Sequence, residues 1–299
     1  MTETRLSPIT LTTADGTQIA AQQFFPEGAA QAAIVVGPAM GVPAGYYKHF
    51  AAWLAMQGYH VTTFDYRGFG ASLALQGGDV RRVKTDTMTW AREDYQAAID
   101  HARHSNPKMR LLLLGSSLGG QLPGFLPRLE GIDGLLAIGT GSGYWRICAP
   151  GIKWRSPLLM YFIGPIAMAL AGYFPGRKLG IFDDIPKGAM QQWVGWCRDP
   201  EYCIGVEPGA RESFARVTFP VHYLSFTDDE FMTRESTEAM LNCYTAAPRQ
   251  HTRVAPADWG LKRIGHLGLF RKEMAVHWSN LIPLLTPLFT PFKLEPQPS

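Results

Sequence analysis

One short segment places a serine where it could act as a nucleophile. Residues 115–119 read Gly-Ser-Ser-Leu-Gly, a G-x-S-x-G pattern at the end of the apolar run 110–115. In this pattern the serine lies on a sharp strand-to-helix turn that requires small neighbours, and the helix start exposes N–H groups that can hold an oxyanion. Ser117 is therefore the candidate nucleophile, whereas Ser116 occupies the variable position. The plainer alternative is a Gly/Ser-rich turn without chemistry.

A serine hydroxyl is a poor nucleophile without a base, and His266 is the candidate for that base. It lies in the loop Ile-Gly-His-Leu-Gly at 264–268, flanked by glycines and placed before the last predicted helix. The other seven histidines lie within predicted helices and strands or near their ends, without such a signature. His222, in an apolar strand, is typical of a satisfied core histidine.

The base needs an acid to orient it and to stabilise the imidazolium. A predicted strand over 217–226 is followed by Asp228, Asp229 and Glu230. Asp229 is favoured because an apolar residue, Phe231, follows two positions later; Asp228 is the alternative, and Glu230 ranks third. The aspartate that is not the acid would serve as a helix N-terminal acid or a turn former.

The elements that must position these residues alternate between strands and helices. Apolar runs and turn signals predict the strands, and helical periodicity marks the segments between them. The predicted strands are 7–13, 17–25, 32–37, 59–65, 110–115, 134–140, 217–226 and 250–255, and the predicted helices are 46–57, 86–104, 118–129, 234–244 and 271–285. This order indicates an α/β fold with a mostly parallel central sheet flanked by helices.

The alternation stops at residue 141 and resumes near residue 217. The residues between contain no convincing strand and hold four tryptophans, at 145, 154, 193 and 196. We therefore expect a core formed by residues 1–141 and 216–299. Residues 142–215, called the cap below, are expected to be a helical lid inserted between the strands near 140 and 218.

The cap begins just past the carboxyl end of a predicted strand, where sites in open α/β sheets lie. Tyr144 and Trp145 are therefore candidate wall residues of a substrate pocket. The aromatic, Met and Leu content of the cap favours an apolar acyl or aryl substrate. The alternative is that these side chains only form the core of the cap itself.

Four segments, taken in chain order, resemble those of the α/β-hydrolase superfamily. Residues 65–72 resemble its D-x-R-G-x-G-x-S turn, which is structural in most members, and the serine turn, the acid loop and Gly265-His266 follow. The resemblance extends over roughly residues 15–287 and is closest to bacterial serine aminopeptidase-like and lysophospholipase-like hydrolases. It implies the α/β-hydrolase fold and leaves the substrate open.

One loop departs from the pattern of that superfamily. Many members read His-Gly-x-Gly after the third strand, whereas this chain reads Pro38-Ala39-Met40-Gly41. Because the donor is a backbone N–H, an oxyanion hole can survive, with Met40 as one donor residue and Leu118 as the other. The change puts in doubt how the loop is supported and whether the Met40 side chain narrows the pocket.

Composition and charge argue against several classes of function. The net charge is +3 without a dense basic block, which gives no reason to expect a nucleic-acid partner. No metal-binding cluster, P-loop or dinucleotide fingerprint is present in the sequence, so we expect neither a metal nor a cofactor. The four cysteines form no C-x-x-C pair and no signal peptide is visible, which predicts reduced thiols and a cytoplasmic protein.

The stretch 157–174 carries no charge and approaches the length of a membrane span. Gly164, Pro165 and Gly172 interrupt it, so we expect buried or lid helices rather than a transmembrane helix. Contact with a membrane surface or with a second copy of the chain is the alternative, and a homo-oligomer is compatible with the sequence.

The motifs together predict a serine hydrolase that cleaves carboxylic esters of a small molecule through an acyl-enzyme. An amidase or aminopeptidase would need acidic residues near the cap mouth to hold a substrate amine, and Asp183, Asp184 and Glu201 are candidates. A thioesterase or acyltransferase could use the same three catalytic residues. A hydrolase-like binding protein with a decayed site is disfavoured, because serine, histidine and acid are all present.

Overall fold

The computed structural model describes residues 5–289, so residues 1–4 and 290–299, the ends of the predicted core, lie outside the described residues. It shows a sheet of eight strands. These are β1 (Arg5–Thr12), β2 (Gln18–Phe25), β3 (Ala32–Gly37), β4 (Tyr59–Phe64), β5 (Leu111–Ser116), β6 (Gly134–Ile138), β7 (Val221–Phe226) and β8 (Arg249–Val254).

The strand order across the sheet is β1-β2-β4-β3-β5-β6-β7-β8. Strand β2 pairs antiparallel with β1 and β4, and the remaining neighbours are parallel. Every residue of β3 to β7 is buried, because helices cover both faces of a parallel sheet. The predicted α/β fold with a mostly parallel sheet is confirmed.

Helices pack on both faces of this sheet. One face carries an apolar cluster around Trp90 and Phe125, and the other a cluster around Phe50 and Trp278. The α-helices are α1 (Lys48–Met56), α2 (Gly70–Leu75), α3 (Thr87–Thr89), α4 (Gln96–Ser105), α5 (Leu118–Gln121), α6 (Pro150–Lys153), α7 (Ser156–Leu158), α8 (Gly164–Ala171), α9 (Gly176–Leu179), α10 (Lys187–Arg198), α11 (Cys203–Val206), α12 (Ala210–Ala215), α13 (Arg234–Leu241) and α14 (Ile282–Leu285). Turns of 3-10 helix occupy Ala44–Tyr47, Val80–Arg82, Leu122–Phe125, Pro256–Trp259, Gly268–Phe270, Lys272–Leu281 and Thr286–Phe289, and π-helical turns occupy Trp90–Tyr95 and Leu159–Ile163.

Prolines shorten two elements relative to the sequence-based prediction. The helix predicted at 118–129 ends in a 3-10 turn, and Leu126 is extended. Pro127 explains this, because the residue before a proline avoids helical dihedral angles. The strand predicted from residue 217 begins only at Val221, directly after Pro220, which has no N–H to donate to a neighbouring strand.

The cap lies between β6 and β7 and consists of helices α6 to α12 with an isolated β-bridge between Phe174 and Ile185. This agrees with the predicted helical insertion, while its division from the core at residues 141 and 216 stays a prediction. The side-chain oxygen of Gln192, on α10, accepts hydrogen bonds from the N–H groups of Thr87 and Met88 at 2.8 and 3.1 Å. These bonds fasten the cap to the core.

The apolar stretch 157–174 forms most of a helical run that extends from Ser156 to Ala171 through α7, a π-helical turn and α8. Within residues 5–289, no helix combines the length and apolar character needed to cross a membrane. Ser156, Met160, Gly164 and Met168 face the protein interior. The opposite face of the run is exposed.

Candidate active site

The turn between β5 and α5 holds Ser117 in a backbone conformation that few L-residues adopt. Its φ is +50°, which costs about 1–3 kcal/mol that the surrounding structure must offset. A Cβ at Gly115 would overlap the backbone of Gly120, and a Cβ at Gly119 would overlap the carbonyl of Gly37. Close packing of the turn therefore requires both glycines of the G-x-S-x-G pattern.

His266 lies between Ser117 and Asp229. Its Nε2 is 3.0 Å from Ser117 Oγ, and its Nδ1 is 2.9 and 3.0 Å from the two carboxylate oxygens of Asp229. Since an ionised carboxylate only accepts hydrogen bonds, Nδ1 carries the hydrogen and Nε2 can accept the serine proton. The buried Asp229 also accepts the N–H groups of Phe231 and Met232, at 2.8 and 2.9 Å, which fix its orientation.

The two acids beside Asp229 hold the backbone of the histidine loop. Asp228 Oδ2 accepts the N–H groups of Ile264 and Gly265 at 2.8 and 3.0 Å. Glu230 Oε2 accepts the N–H of His266 at 3.1 Å. The structure thus brings Asp229, and not Asp228, to the imidazole. The supporting contacts of its neighbours were not foreseen, although three consecutive acids after a strand were the available signal.

Met40 and Leu118 line the same cavity as Ser117 and His266. Met40 follows β3, and Leu118 is the first residue of α5, so its N–H has no partner four residues earlier in the helix. Both residues therefore lie beside the candidate nucleophile, and their role as oxyanion donors stays a prediction.

Two adjacent tyrosines support the loops on either side of the serine. The buried hydroxyl of Tyr47 accepts the N–H of Ala39 at 2.9 Å, directly before Met40. The hydroxyl of Tyr46 donates to the carbonyl of Leu267, directly after His266, at 2.9 Å. The support that Pro38 and Ala39 put in doubt thus comes from a short helix further along the chain. Sequence reasoning missed both tyrosines.

The turn at 65–72 is a structural support, as the resemblance implied. The Asp65 carboxylate accepts the N–H groups of Ala44 and Ala71 at 2.6 and 2.9 Å. Arg67 bonds to the buried Asp94 at 2.7–2.8 Å and to Asp15 at 2.6 Å. The Asp65 contacts hold the segment after Met40 against the end of β4. The Arg67 contact with Asp15 holds the turn against the hairpin of β1 and β2.

A cavity of about 670 Å³ opens above Ser117. The core supplies apolar walls from Met40, Val42, Phe231 and Met232, and the cap supplies Gly143, Ile181, Phe182, Trp193 and Tyr202.

The structure corrects the prediction for Tyr144 and Trp145, which do not line this cavity. The Trp145 N–H donates to the carbonyl of Cys197, at 3.1 Å, and Arg146 stacks on its ring. This bond holds the backbone of Trp145 against α10. Of residues 143–145, Gly143 alone lines the cavity.

Charged side chains at the cavity are of both signs. Glu230 and Glu273 line it together with Arg263 and Arg271, and Arg263 pairs with Glu230 at 3.5 Å.

The acids predicted for an amine site lie elsewhere. Asp183 pairs with Arg177, Asp184 accepts the N–H of Arg177, and Glu201 pairs with Arg211 at 2.7 Å. None of the three acids lines the cavity.

The buried Cys148 thiol near Asp229 is not a reactive nucleophile at neutral pH. Burial raises the pKa of the Cys148 thiol to about 12, with a smaller contribution from Asp229, so this cysteine is protonated at neutral pH. Within residues 5–289 no group of three or more His, Cys, Asp and Glu side chains is arranged to hold a metal ion.

Solved structures of similar shape share little sequence with this chain. A soluble variant of monoglyceride lipase from Saccharomyces cerevisiae, in complex with a substrate analogue, has a TM-score of 0.68 at 14% identity, covering 98% of this chain and 97% of that one. A thermostable carboxyl esterase from Bacillus coagulans, in complex with glycerol, has a TM-score of 0.66 at 13% identity, covering 95% and 99%. This chain has the α/β-hydrolase fold.

Peptidases as well as esterases resemble this α/β-hydrolase-fold chain. The family model for serine aminopeptidase, S33, matches residues 28–124, from β3 through the serine turn, which confirms the resemblance seen in the sequence. The acylaminoacyl peptidase of Pyrococcus horikoshii has a TM-score of 0.58 at 12% identity, covering 99% of this chain but 44% of that one. None of the curated proteins matches the sequence.

Proposed function

We propose that this α/β-hydrolase-fold protein is a serine hydrolase that cleaves carboxylic esters through an acyl-enzyme. The observation that carries the proposal is the continuous set of hydrogen bonds from Ser117 through His266 to Asp229 at the base of a large cavity. Nucleophile, base and orienting acid lie at the distances that general-base catalysis needs.

In this mechanism His266 Nε2 takes the proton of Ser117 as Oγ attacks the ester carbonyl. The backbone N–H groups of Met40 and Leu118 stabilise the tetrahedral oxyanion, and loss of one such donor costs roughly 3 kcal/mol of transition-state stabilisation. His266 then protonates the leaving alcohol, and the acyl group stays on Ser117. A water molecule activated by His266 releases the carboxylic acid.

The walls of the cavity favour an apolar acyl or aryl substrate. Met40, Phe182 and Trp193 surround the space above Ser117 with apolar surface. The similar structures named as a monoglyceride lipase and a carboxyl esterase are consistent with such a substrate.

An amidase or aminopeptidase is the second candidate, favoured by the serine aminopeptidase family match. A free substrate amine needs an unpaired acid near the carbonyl. The cavity acids are accompanied by arginines, and Glu230 already accepts the His266 N–H and pairs with Arg263. The ester reading is therefore preferred.

A fluorophosphonate probe tests the nucleophile. We expect labelling at Ser117, and we expect Ser117→Ala to lose both labelling and p-nitrophenyl ester hydrolysis. Ser116→Ala is the matched control, because this neighbouring serine is fully buried. Labelling that persists in Ser117→Ala, or is lost only in Ser116→Ala, would contradict the assignment.

A panel of esters, thioesters and aminoacyl amides tests the reaction class. We expect the highest kcat/KM for esters with medium or long acyl chains. A higher kcat/KM for aminoacyl amides would favour the aminopeptidase, and faster transfer to an added alcohol than to water would favour an acyltransferase.

A further inference from the structure

The exposed face of the cap helices is a stripe of large apolar side chains. Trp154, Leu158, Phe162, Ile166 and Leu170 lie four residues apart, and we call them the outer cap face. They are 57–85% exposed, with Leu170 the most exposed at 85%. Isolated exposed apolar residues are normal on a protein surface, but four on one helical run, with Trp154 in the turn before it, mark an interaction site.

The opposite side of the same helical run already packs against the protein, so the exposed side is not the one that forms the apolar core. Met160 and Met168 are buried, and Gly164 packs close to Phe174. The buried side of the run therefore already packs against the protein. An ordinary amphipathic surface helix would carry polar side chains on its other side, whereas the outer cap face carries apolar ones.

Basic side chains border one end of this face. No Asp or Glu occurs from residue 134 to residue 182, and Lys153 and Arg155 directly precede the run. Beyond Leu170 the charges are of both signs, since Asp79 and Asp184 line the same surface pocket as this leucine. An apolar stripe with a basic end matches a surface of negative charge over an apolar interior.

We propose that the outer cap face docks on the surface of an anionic phospholipid bilayer. The aromatic rings of Trp154 and Phe162 would lie at the headgroup boundary, with Lys153 and Arg155 against the lipid phosphates.

The docking surface is continuous with the cavity wall. The chain passes from the run through Phe174 to Ile181 and Phe182, which line the cavity, and the rings of Phe174 and Phe182 are 5.5 Å apart. Docking would therefore hold the cap side of the cavity near the membrane. The proposal does not depend on the ester hydrolysis proposed above.

Vesicle sedimentation tests the apolar part of this surface. We expect the protein to bind phosphatidylglycerol vesicles, and Phe162→Ser with Leu170→Ser to weaken binding by at least about tenfold, because each buried apolar side chain is worth roughly a factor of ten. Val276→Ser is the matched control, since Val276 is 79% exposed and lies on the core. Its binding should equal that of the wild type.

The basic part is tested by charge removal. We expect Lys153→Gln with Arg155→Gln to weaken binding to phosphatidylglycerol by about tenfold or more, from roughly a fivefold effect per charge. Added salt should weaken wild-type binding in the same way. The control is Lys108→Gln, which removes an exposed charge from the loop before β5, outside the cap.

Three results would overturn the proposal. These are equal binding to phosphatidylcholine and phosphatidylglycerol, wild-type affinity in the Phe162/Leu170 double variant, and a dimer in sedimentation equilibrium that this double variant abolishes. Ser117→Ala should bind vesicles normally, and the double variant should hydrolyse a soluble short-chain ester normally. Failure of docking and failure of the proposed catalysis are thereby separated.

Discussion

Around Ser117 the core holds the loops of the site with hydrogen bonds, whereas the cap contributes mainly apolar surface to the same cavity. Asp228 and Glu230 hold the histidine loop, and Tyr47 holds the loop before Met40. From the cap, Tyr202 adds a hydrogen bond to Gln121 at 3.1 Å. The core therefore fixes polar groups around Ser117 with hydrogen bonds, and the cap gives the cavity its apolar walls.

The largest expected effect separates the acid that touches the imidazole from the acid beside it. Asp229→Asn should lower kcat by roughly 10³–10⁴-fold, because the amide favours the wrong imidazole tautomer. Asp228→Asn should cost about tenfold or less, since the hydrogen bonds of Asp228 within residues 5–289 go to the backbone N–H groups of Ile264 and Gly265 and not to the imidazole. Steady-state kinetics on a p-nitrophenyl ester measures both, and a larger loss in Asp228→Asn would reverse the assignment.

A second contrast compares ion pairs of the core and the cap. Arg67→Met leaves the buried Asp94 without its partner, and burial already raises the pKa of Asp94 against the attraction of Arg67. We expect a loss of about 3–5 kcal/mol in the free energy of unfolding. Arg211→Met breaks the exposed pair with Glu201 in the cap and should cost about 0–1 kcal/mol.

Urea unfolding followed by far-UV circular dichroism measures both ion-pair variants. Equal losses in Arg67→Met and Arg211→Met would show that burial does not set the difference between the two regions.

A third contrast concerns the stability of the fold at acidic pH. Burial, with repulsion from His251, lowers the pKa of His222 to about 4. Because the unfolded chain binds this proton more tightly, with a pKa of about 6.5, stability must fall as the pH falls from about 6.5 toward 4. His222→Gln should reduce the stability difference between about pH 7.5 and pH 5 by about 2 kcal/mol.

Thermal or urea unfolding at several pH values checks this, with His104→Gln, at an exposed position of α4, as the control. If the His222 and His104 variants keep the same pH dependence as the wild type, the burial of His222 is not what weakens the core in acid.

The parts predictable from sequence are those set by local patterns. The buried strands and the turn at Ser117 depend on apolar runs and on glycines that close packing requires, and both were predicted within a few residues. The direction of Tyr144 and Trp145 was not, because it depends on a backbone hydrogen bond to Cys197, far along the chain. Contacts between segments that are far apart in the chain leave no periodic pattern in the sequence.

The two tyrosines show the same limit and give the last prediction. The hydroxyl of Tyr46 reaches a carbonyl 221 residues away, at Leu267, and that of Tyr47 reaches the loop before Met40. Tyr47→Phe leaves the buried N–H of Ala39 without a partner, which costs about 1–3 kcal/mol. We expect this cost to loosen the loop that carries Met40, the proposed oxyanion donor, and to lower kcat by about tenfold with little change in KM.

Tyr46→Phe is the matched comparison, because it removes a hydroxyl that supports the histidine loop instead. Its effect should fall on the position of His266, so the acid limb of the pH–rate profile, where a general base is lost by protonation, should shift, whereas Tyr47→Phe should lower the profile uniformly. A purely structural role would lower the melting temperature in both variants without separating the two profiles. Identical profiles would therefore mean that the two loops respond as one unit, and that the core does not position His266 and Met40 independently.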